Sequence, residues 1–305
     1  MNIVFMGTPD FAIPILEMLH QTYGVCLVVT QPDKAVGRKK ILTHSPVKAF
    51  ALKHGIKLFQ PIKMSKDYKQ IVDAKPDILI TAAYGQMIPN GVLDLAPAIN
   101  VHGSLLPSYR GGAPVQYSIK NGDTRTGITI MYMAPKMDSG DIIIQKEVEI
   151  SKTDTTDTLM ARLSLVGRDL LLDVFKSIVS KTNQRTKQDE SKVSFAYTLK
   201  PSDEILDFNQ TSDMVDNHLR ALLSEPGGSV FINNARIKVY EIEKSDIISS
   251  AMPGEVISIH KTLLVKTQDG VIRLKVIKPE GKKLMKDSDF LNGQKIINKG
   301  DIFNQ

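Results

Sequence analysis

The chain has 305 residues, enough for one large domain or two ordinary ones, and its 42% apolar and 24% charged composition is that of a soluble globular protein. No apolar run approaches the ~18 residues of a membrane span, and the lone Cys26 excludes an internal disulfide and a cysteine-based zinc site. The net charge of +6 is moderately basic and admits a polyanionic partner.

The N-terminus has no basic start, and Thr8-Pro9-Asp10 interrupts its apolar run, so Ile3-Val4-Phe5-Met6 reads as a buried first strand and not as a signal peptide. Helical spacing follows from Phe11 to His20. The turn Gly7-Thr8-Pro9-Asp10-Phe11 lies where a dinucleotide-binding fold cradles phosphate, yet it is not Gly-x-Gly-x-x-Gly, which argues against an NAD enzyme. Val25 to Thr30 is a second strand, with Cys26 expected inside as a small hydrophobe in a reducing cytosol. Residues 31–48 carry five basic side chains against one acidic and read, from composition alone, as a solvated loop. Pro46 to His54 is predicted as a helix with Ser45 as N-cap, followed by a strand at Ile56–Phe59 and a helix over Ser65–Ala74. Asp77 to Ala83 is a buried strand closed by Tyr84-Gly85-Gln86.

Ala98 to His102 is a short strand whose alternation puts Asn100 and His102 on one face, and Gly103 breaks it. An amide and an imidazole at a strand end suit a ligand site in an open α/β sheet. The amide can donate to a developing oxyanion, and the imidazole can donate or move a proton near neutral pH. Ser104-Leu105-Leu106-Pro107 leads into a Gly/Pro-rich loop with Arg110, a side chain able to hold a ligand anion or to pair with a surface acid. A helix over Ala113–Lys120, a strand over Gly127–Met133 and a strand over Asp141–Gln145 follow, with Asp138 on the loop between the strands. Leu159 to Ile178 is an amphipathic helix. Alternating strands and helices argue a mostly parallel sheet with right-handed crossovers. No two histidines have metal-ligand spacing with a third ligand, so no metal site is expected.

Ser180 to Lys200 is polar, basic and weakly periodic, the composition of a linker. Beyond it come a helix over Asp213–Leu223 and short strands at Ser229–Ile232, Arg236–Ile242, Gly254–Ile257, Leu263–Val265 and Val271–Ile277, spaced as in a small antiparallel barrel. The basic excess is local: residues 1–200 hold 25 basic against 18 acidic, and residues 201–305 hold 14 against 15.

The string Asn-x-His-x-Ser-Leu-Leu-Pro-x-x-Arg-Gly at 100–111, with Met137-Asp138-Ser139-Gly140-Asp141 after it, resembles the signature of the 10-formyltetrahydrofolate-dependent formyltransferases. The opening Gly7-Thr8-Pro9-Asp10-Phe11 and the segments Lys278–Lys283 and Asp289–Gly293 are similar to the branch of that family acting on charged transfer RNA. The resemblance implies an α/β, Rossmann-like catalytic domain over 1–180, a linker over 181–201 and an OB-like β-barrel over 202–305 that assists transfer RNA binding. It implies transfer of a formyl group from 10-formyltetrahydrofolate, as co-substrate, to the α-amine of methionine on initiator methionyl-tRNA, by a cytoplasmic monomer without metal or membrane. Asn100, His102 and Asp138 would be catalytic, with Asp138 preferred over Asp141 by motif position and both His102 and Asp138 facing a solvated cleft. Ser104, Leu105, Leu106, Pro107, Tyr84 and Gly85 would line the folate site. Lys34, Arg38, Lys39 and Lys40 would meet the transfer RNA, in a loop where the family usually has Pro at the position of Ala35. A small amine, either glycinamide ribonucleotide or an amino sugar, is the alternative acceptor, and an RNA-binding protein without chemistry is the alternative class. The basic 31–48 segment and the second domain count against the first, and the intact Asn100, His102 and Asp138 set counts against the second.

Overall fold

The computed structural model of the chain describes residues 1–36, 41–233, 235–293 and 296–304. It divides into two compact units, one of residues 1–114, 125–149 and 158–197 and one of residues 115–124, 150–157 and 198–305. Among the described residues no helix is long and apolar enough to cross a membrane.

The first unit is built on a seven-stranded sheet. In chain order its elements are β1 (Ile3–Gly7), α1 (Ile13–Tyr23), β2 (Leu27–Val29), β3 (Lys34–Val36), β4 (Ile41–Thr43), α2 (Pro46–Lys53), β5 (Leu58–Phe59), α3 (Lys69–Asp73), β6 (Ile78–Ala82), α4 (Asn90–Leu93) and β7 (Ala98–His102). Then come β8 (Arg125–Tyr132), β9 (Ile142–Glu149) and α6 (Thr156–Val179), while α5 (Pro114–Lys120), which precedes β8 in the chain, belongs but for Pro114 to the second unit. The sheet order is β5-β2-β1-β6-β7-β8-β9, parallel from β5 to β7 and antiparallel at β8 and β9. The strands β1 and β6 are buried along their whole length, as apolar runs covered on both faces must be. The order reverses between β1 and β6, and such a reversal opens a crevice at the carboxyl ends of the strands. Thr8 and Tyr84 face each other across it, the Thr8 hydroxyl donating to the Tyr84 carbonyl at 2.9 Å.

Helix α6 buries Leu159, Leu163, Leu170, Leu171, Phe175 and Ile178, one stripe at helical spacing. Each such side chain contributes about 1.5–3 kcal/mol by leaving water. Gly167 lets this helix lie close on β7, since a Cβ there would stand 2.8 Å from Val101 Cγ1. Val101 therefore faces α6, and alternation turns Asn100 and His102 to the opposite face.

Three readings of the sequence change here. Cys26 is exposed, because it precedes the paired part of β2; its thiol donates to the Ile3 carbonyl at 3.2 Å. The helix expected over Ser65–Ala74 shortens to α3, since Lys66 and Asp67 both turn back to the Lys63 carbonyl. Within 31–48 a hairpin forms, β3 pairing antiparallel with β4.

The second unit holds α7 (Ser212–Leu222), β10 (Gly228–Ile232), β11 (Ala235–Ser245), β12 (Val256–Ser258), β13 (Leu264–Lys266), β14 (Val271–Pro279), β15 (Met285–Lys286) and α8 (Asp287–Leu291). Its antiparallel order is β10-β11-β14-β13-β12, with β15 on β14. Alternate residues of these strands, with Val215, Leu219 and Leu222 of α7, form one apolar core. Thr211 caps α7 by accepting from Met214 N at 3.2 Å. Residues 300–304 bridge the two open edges. Val256 N donates to Asp301 O at 2.8 Å on the β12 side, and Asn304 N donates to Phe231 O at 2.7 Å on the β10 side.

Candidate active site

β8 runs against β7 and ends level with Ile99. The loop after it, residues 133–141, folds back over the face of β7 that carries Asn100 and His102. Asp138 is thereby brought to both: Asn100 Nδ2 lies 3.4 Å from Asp138 Oδ1, and His102 Nδ1 lies 3.8 Å from Asp138 Oδ2. The carboxylate can only accept, so the Asn100 amide nitrogen faces it, and the Thr81 hydroxyl donates to Asn100 Oδ1 at 2.8 Å on the other side. One amide N–H of Asn100 remains for a ligand.

His102 Nε2 lies 3.0 Å from the Tyr109 carbonyl. A carbonyl cannot donate, so Nε2 carries a proton, and Nδ1 is the nitrogen that faces Asp138. The backbone N–H of Gly111 donates to Asp138 Oδ2 at 2.8 Å. Asp138 holds φ +47°, a left-handed conformation that Asp tolerates better than most residues. Gly140 closes the loop where a Cβ would meet the Tyr132 carbonyl at 1.9 Å, so no other residue fits. The expected solvated cleft is corrected in one respect: His102 is 5% exposed and the Asp138 side chain 16%, because the loop lies over them.

The Ser104–Pro107 turn is held from behind by Thr129 on β8. Its hydroxyl donates to Ser104 O at 2.6 Å and accepts from Leu106 N at 3.1 Å, while Gln145 Nε2 donates to Leu106 O at 2.8 Å. Ser104 and Leu106 are buried, and Leu105 and Pro107 are half-buried. The Tyr84 ring is enclosed in an apolar cluster with Met6, Leu79 and Ile88, where burial pushes its phenol well above the ordinary range. What Tyr84 and Gly85 offer a ligand is therefore the backbone of their turn.

Asp141 is held elsewhere, by Arg185 Nε at 3.0 Å, and the Arg185 guanidinium lies over the Tyr132 ring. Arg110 is fully buried and pairs with Glu190 at 2.7 Å and with Gln188, so the choice left open for it resolves to pairing with an acid. Gln188 and Glu190 belong to the stretch read as a linker. That stretch instead pairs with the first unit: Thr186 with Ile142, and Phe195 with Arg110. Its composition gave no signal of this. The one available hint was Ser194-Phe195-Ala196-Tyr197, an alternation with a small apolar residue that is now fully buried at Ala196.

Of the basic set, Lys34 stands exposed on β3, and Arg38, Lys39 and Lys40 lie outside the described residues. The hairpin base is built around Asp33. Its Oδ2 accepts from Lys48 Nζ at 2.7 Å and lies 3.0 Å from His44 Nδ1, and its Oδ1 accepts from Gln60 at 3.1 Å. The Lys48 bond first, then that from Gln60, holds the Asp33 carboxyl down at about 2. Among the described residues no group of three or more His, Cys, Asp or Glu could hold a metal ion.

The family described as Formyl transferase matches residues 1–175, and the one described as Formyl transferase, C-terminal domain, matches residues 198–295. The methionyl-tRNA formyltransferase of Ligilactobacillus salivarius is 47% identical over 301 residues, 96% of this chain and 94% of the relative. That of Macrococcus caseolyticus is 43% identical over 309 residues, 100% of this chain and 99% of the relative. Among solved structures, the N-formyltransferase from Helicobacter canadensis with folinic acid and dTDP-3-aminofucose superposes with a TM-score of 0.67 at 20% identity, over 89% of this chain and 97% of that one. HypX from Aquifex aeolicus with tetrahydrofolic acid gives 0.63 at 14% identity, over 95% of this chain and 46% of that one. At such identities these structures carry the fold alone.

Proposed function

The chain belongs to the formyl transferase family, and on that premise we propose that it moves the formyl group of 10-formyltetrahydrofolate to the α-amine of methionine on initiator transfer RNA. It is a group-transfer enzyme with the folate as co-substrate and the transfer RNA as acceptor, acting in translation initiation. The observation that carries its chemistry is the convergence of Asn100, His102 and Asp138 within 3.4 and 3.8 Å, from a strand and from a loop folded over it.

The acceptor amine attacks the formyl carbon, a C–N bond forms, and the carbonyl oxygen becomes an oxyanion. The spare N–H of Asn100 donates to that oxygen, a contribution of about 2.7–4 kcal/mol where such donors have been removed elsewhere. His102 is the second donor to that oxygen, oriented and charge-stabilised by Asp138. Asp138 takes the proton that the amine must lose, through a water molecule. The bond to the folate nitrogen then breaks as that nitrogen is protonated, so one proton leaves the amine and one reaches the leaving group. Ser104, Leu105, Leu106 and Pro107, with the backbone at Tyr84 and Gly85, would hold the folate largely by apolar and main-chain contacts. Lys34, Arg38, Lys39 and Lys40 would meet acceptor phosphates, and the 202–305 barrel would assist. The same reading takes the protein as a monomer in the cytoplasm, which sedimentation and fractionation would check.

The test is an assay with 10-formyltetrahydrofolate and three acceptors side by side: charged initiator transfer RNA, glycinamide ribonucleotide and a nucleotide-linked amino sugar. Formylation of the transfer RNA alone is expected. Comparable kcat/KM on a small amine, or no turnover on any of the three, would overturn the reading.

A further inference from the structure

Gln188 lies in a stretch whose composition is that of a linker, yet its side-chain amide is fully engaged. Its Oε1 accepts from Arg110 Nε at 3.0 Å and from Arg110 Nη2 at 2.8 Å. Its Nε2 donates to the Asp138 carbonyl and to the Gly140 carbonyl, both at 2.8 Å. Two lone pairs and two N–H groups are all that a carboxamide has, so every valence is spent on these two neighbours.

The two neighbours are the segments that hold the Asp138 carboxylate. The first is its own loop, where Asp138 sits at φ +47° and the loop turns through Gly140. The second is Arg110-Gly111, where the Gly111 N–H donates to Asp138 Oδ2 at 2.8 Å. Arg110 is fully buried, its backbone pinned by Ser194 O at 2.9 Å and by Ala196 N at 2.8 Å. We propose that Gln188 is a positioning residue for Asp138: it ties the backbone of the 138–140 loop to buried Arg110 and so fixes the carboxylate against Asn100 and His102. The proposal rests on the catalytic reading of Asp138 given above. A left-handed residue reverts to ordinary backbone unless its surroundings over-determine it, and Gln188 supplies two of the bonds that do so.

The chemistry of the amide makes the role testable without dismantling the fold. Gln188→Glu keeps the acceptor face toward Arg110 but replaces the two donors with an oxygen that repels the Asp138 and Gly140 carbonyls. This variant is expected to keep a wild-type circular dichroism spectrum and Tm within a few degrees, and KM for both substrates within about two-fold. Its kcat should fall about 10-fold or more, the scale of a small misplacement of a reacting group. Gln188→Ala should lose kcat at least as far. Asp138→Asn and the double variant Asp138→Asn/Gln188→Glu complete a cycle in which the second substitution adds less than about two-fold once the carboxylate is gone. A Gln188→Glu enzyme with kcat within three-fold of wild type overturns the proposal alone. Additive losses in the cycle overturn it too, because Gln188 would then act on something other than Asp138. A folded Asp138→Asn enzyme with wild-type kcat overturns the catalytic reading, and the proposal with it.

Discussion

Two loops of the first unit carry residues to which the proposed function gives different tasks, and their described contacts differ. The 133–141 loop is fixed at its tip: the Asp138 side chain accepts from Gly111, and the Asp138 and Gly140 carbonyls accept from Gln188. The 34–43 hairpin is fixed at its base, where Lys48 and Gln60 donate to Asp33, while Lys34 and Leu42 face solvent. Under the proposed function the two would meet different demands. Proton transfer and oxyanion stabilisation fail when an atom moves by an ångström. Attraction to phosphates acts over a Debye length of about 8–10 Å and needs charge more than fixed geometry.

Disabling the fixed tip should have the largest effect. Asp138→Asn should lower kcat at least about 100-fold, within the usual range for lost acid–base or electrostatic function, with little change in KM. His102→Ala should match it in turnover. It also removes the bond from His102 Nε2 to the Tyr109 carbonyl, so its Tm must be followed beside its rate. A folded variant of either kind that keeps more than a third of wild-type turnover would remove that residue from the mechanism.

Removing charge from the hairpin should give a smaller effect of another kind. With Arg38, Lys39 and Lys40 replaced by Ala, KM for transfer RNA should rise, and the slope of log affinity against log salt should flatten by about 0.7–0.9 for each phosphate no longer neutralised. Folate KM should hold. An unchanged salt slope would separate the hairpin from the nucleic acid, and a loss confined to folate would put it on the other substrate.

Asp141→Asn sharpens the contrast within one loop. Its carboxylate pairs with Arg185 and not with Asn100 or His102, so turnover should fall only a few-fold, as expected for a partly exposed ion pair worth about 0–1 kcal/mol. Losses equal to those of Asp138→Asn would move the catalytic role to Asp141.

The smallest effect concerns pH. Asp33 titrates at about 2 in the fold, below its ordinary 3.8, so the stability it contributes is present above about 3.8 and is lost as pH falls through about 2. Asp33→Asn should flatten the acid limb of the stability curve in that window alone, as read by unfolding midpoints from pH 5 to pH 2. An acid limb that is unchanged would mean that the Lys48 and Gln60 bonds do not persist in solution.

Asn100 and His102 were legible because strand alternation is local: two residues apart means one face. The helix α2 was legible for a similar reason, Ser45 and Pro46 being a cap and a first turn written side by side, and the Ser45 hydroxyl does accept from Lys48 N at 3.1 Å. Asp138 could be placed by resemblance but not by physics, because its reach depends on β8 running against β7 and on the loop returning over the sheet. Gln188 and Glu190 were illegible, since their partner Arg110 stands about eighty residues away and nothing in a polar, basic stretch reveals a buried guanidinium. Cys26 misled because an apolar neighbourhood in sequence says nothing of where strand pairing begins.

The five residues that close the second unit bear on how the protein behaves at high concentration. An open antiparallel sheet presents two rows of unpaired N–H and C=O groups, each a template on which another chain can add a strand. Residues 300–304 occupy both rows at once, giving Asp301 O to Val256 and Asn304 N to Phe231. This short run guards against self-association although it lies far in sequence from Asn100, His102 and Asp138. A cut or a bulky fusion there uncovers the β12 side and the Phe231 end of β10, leaving only Leu206 N on Ser229 O at 3.0 Å to cover that edge, and the damage would register as precipitation long before it registered as a slower enzyme.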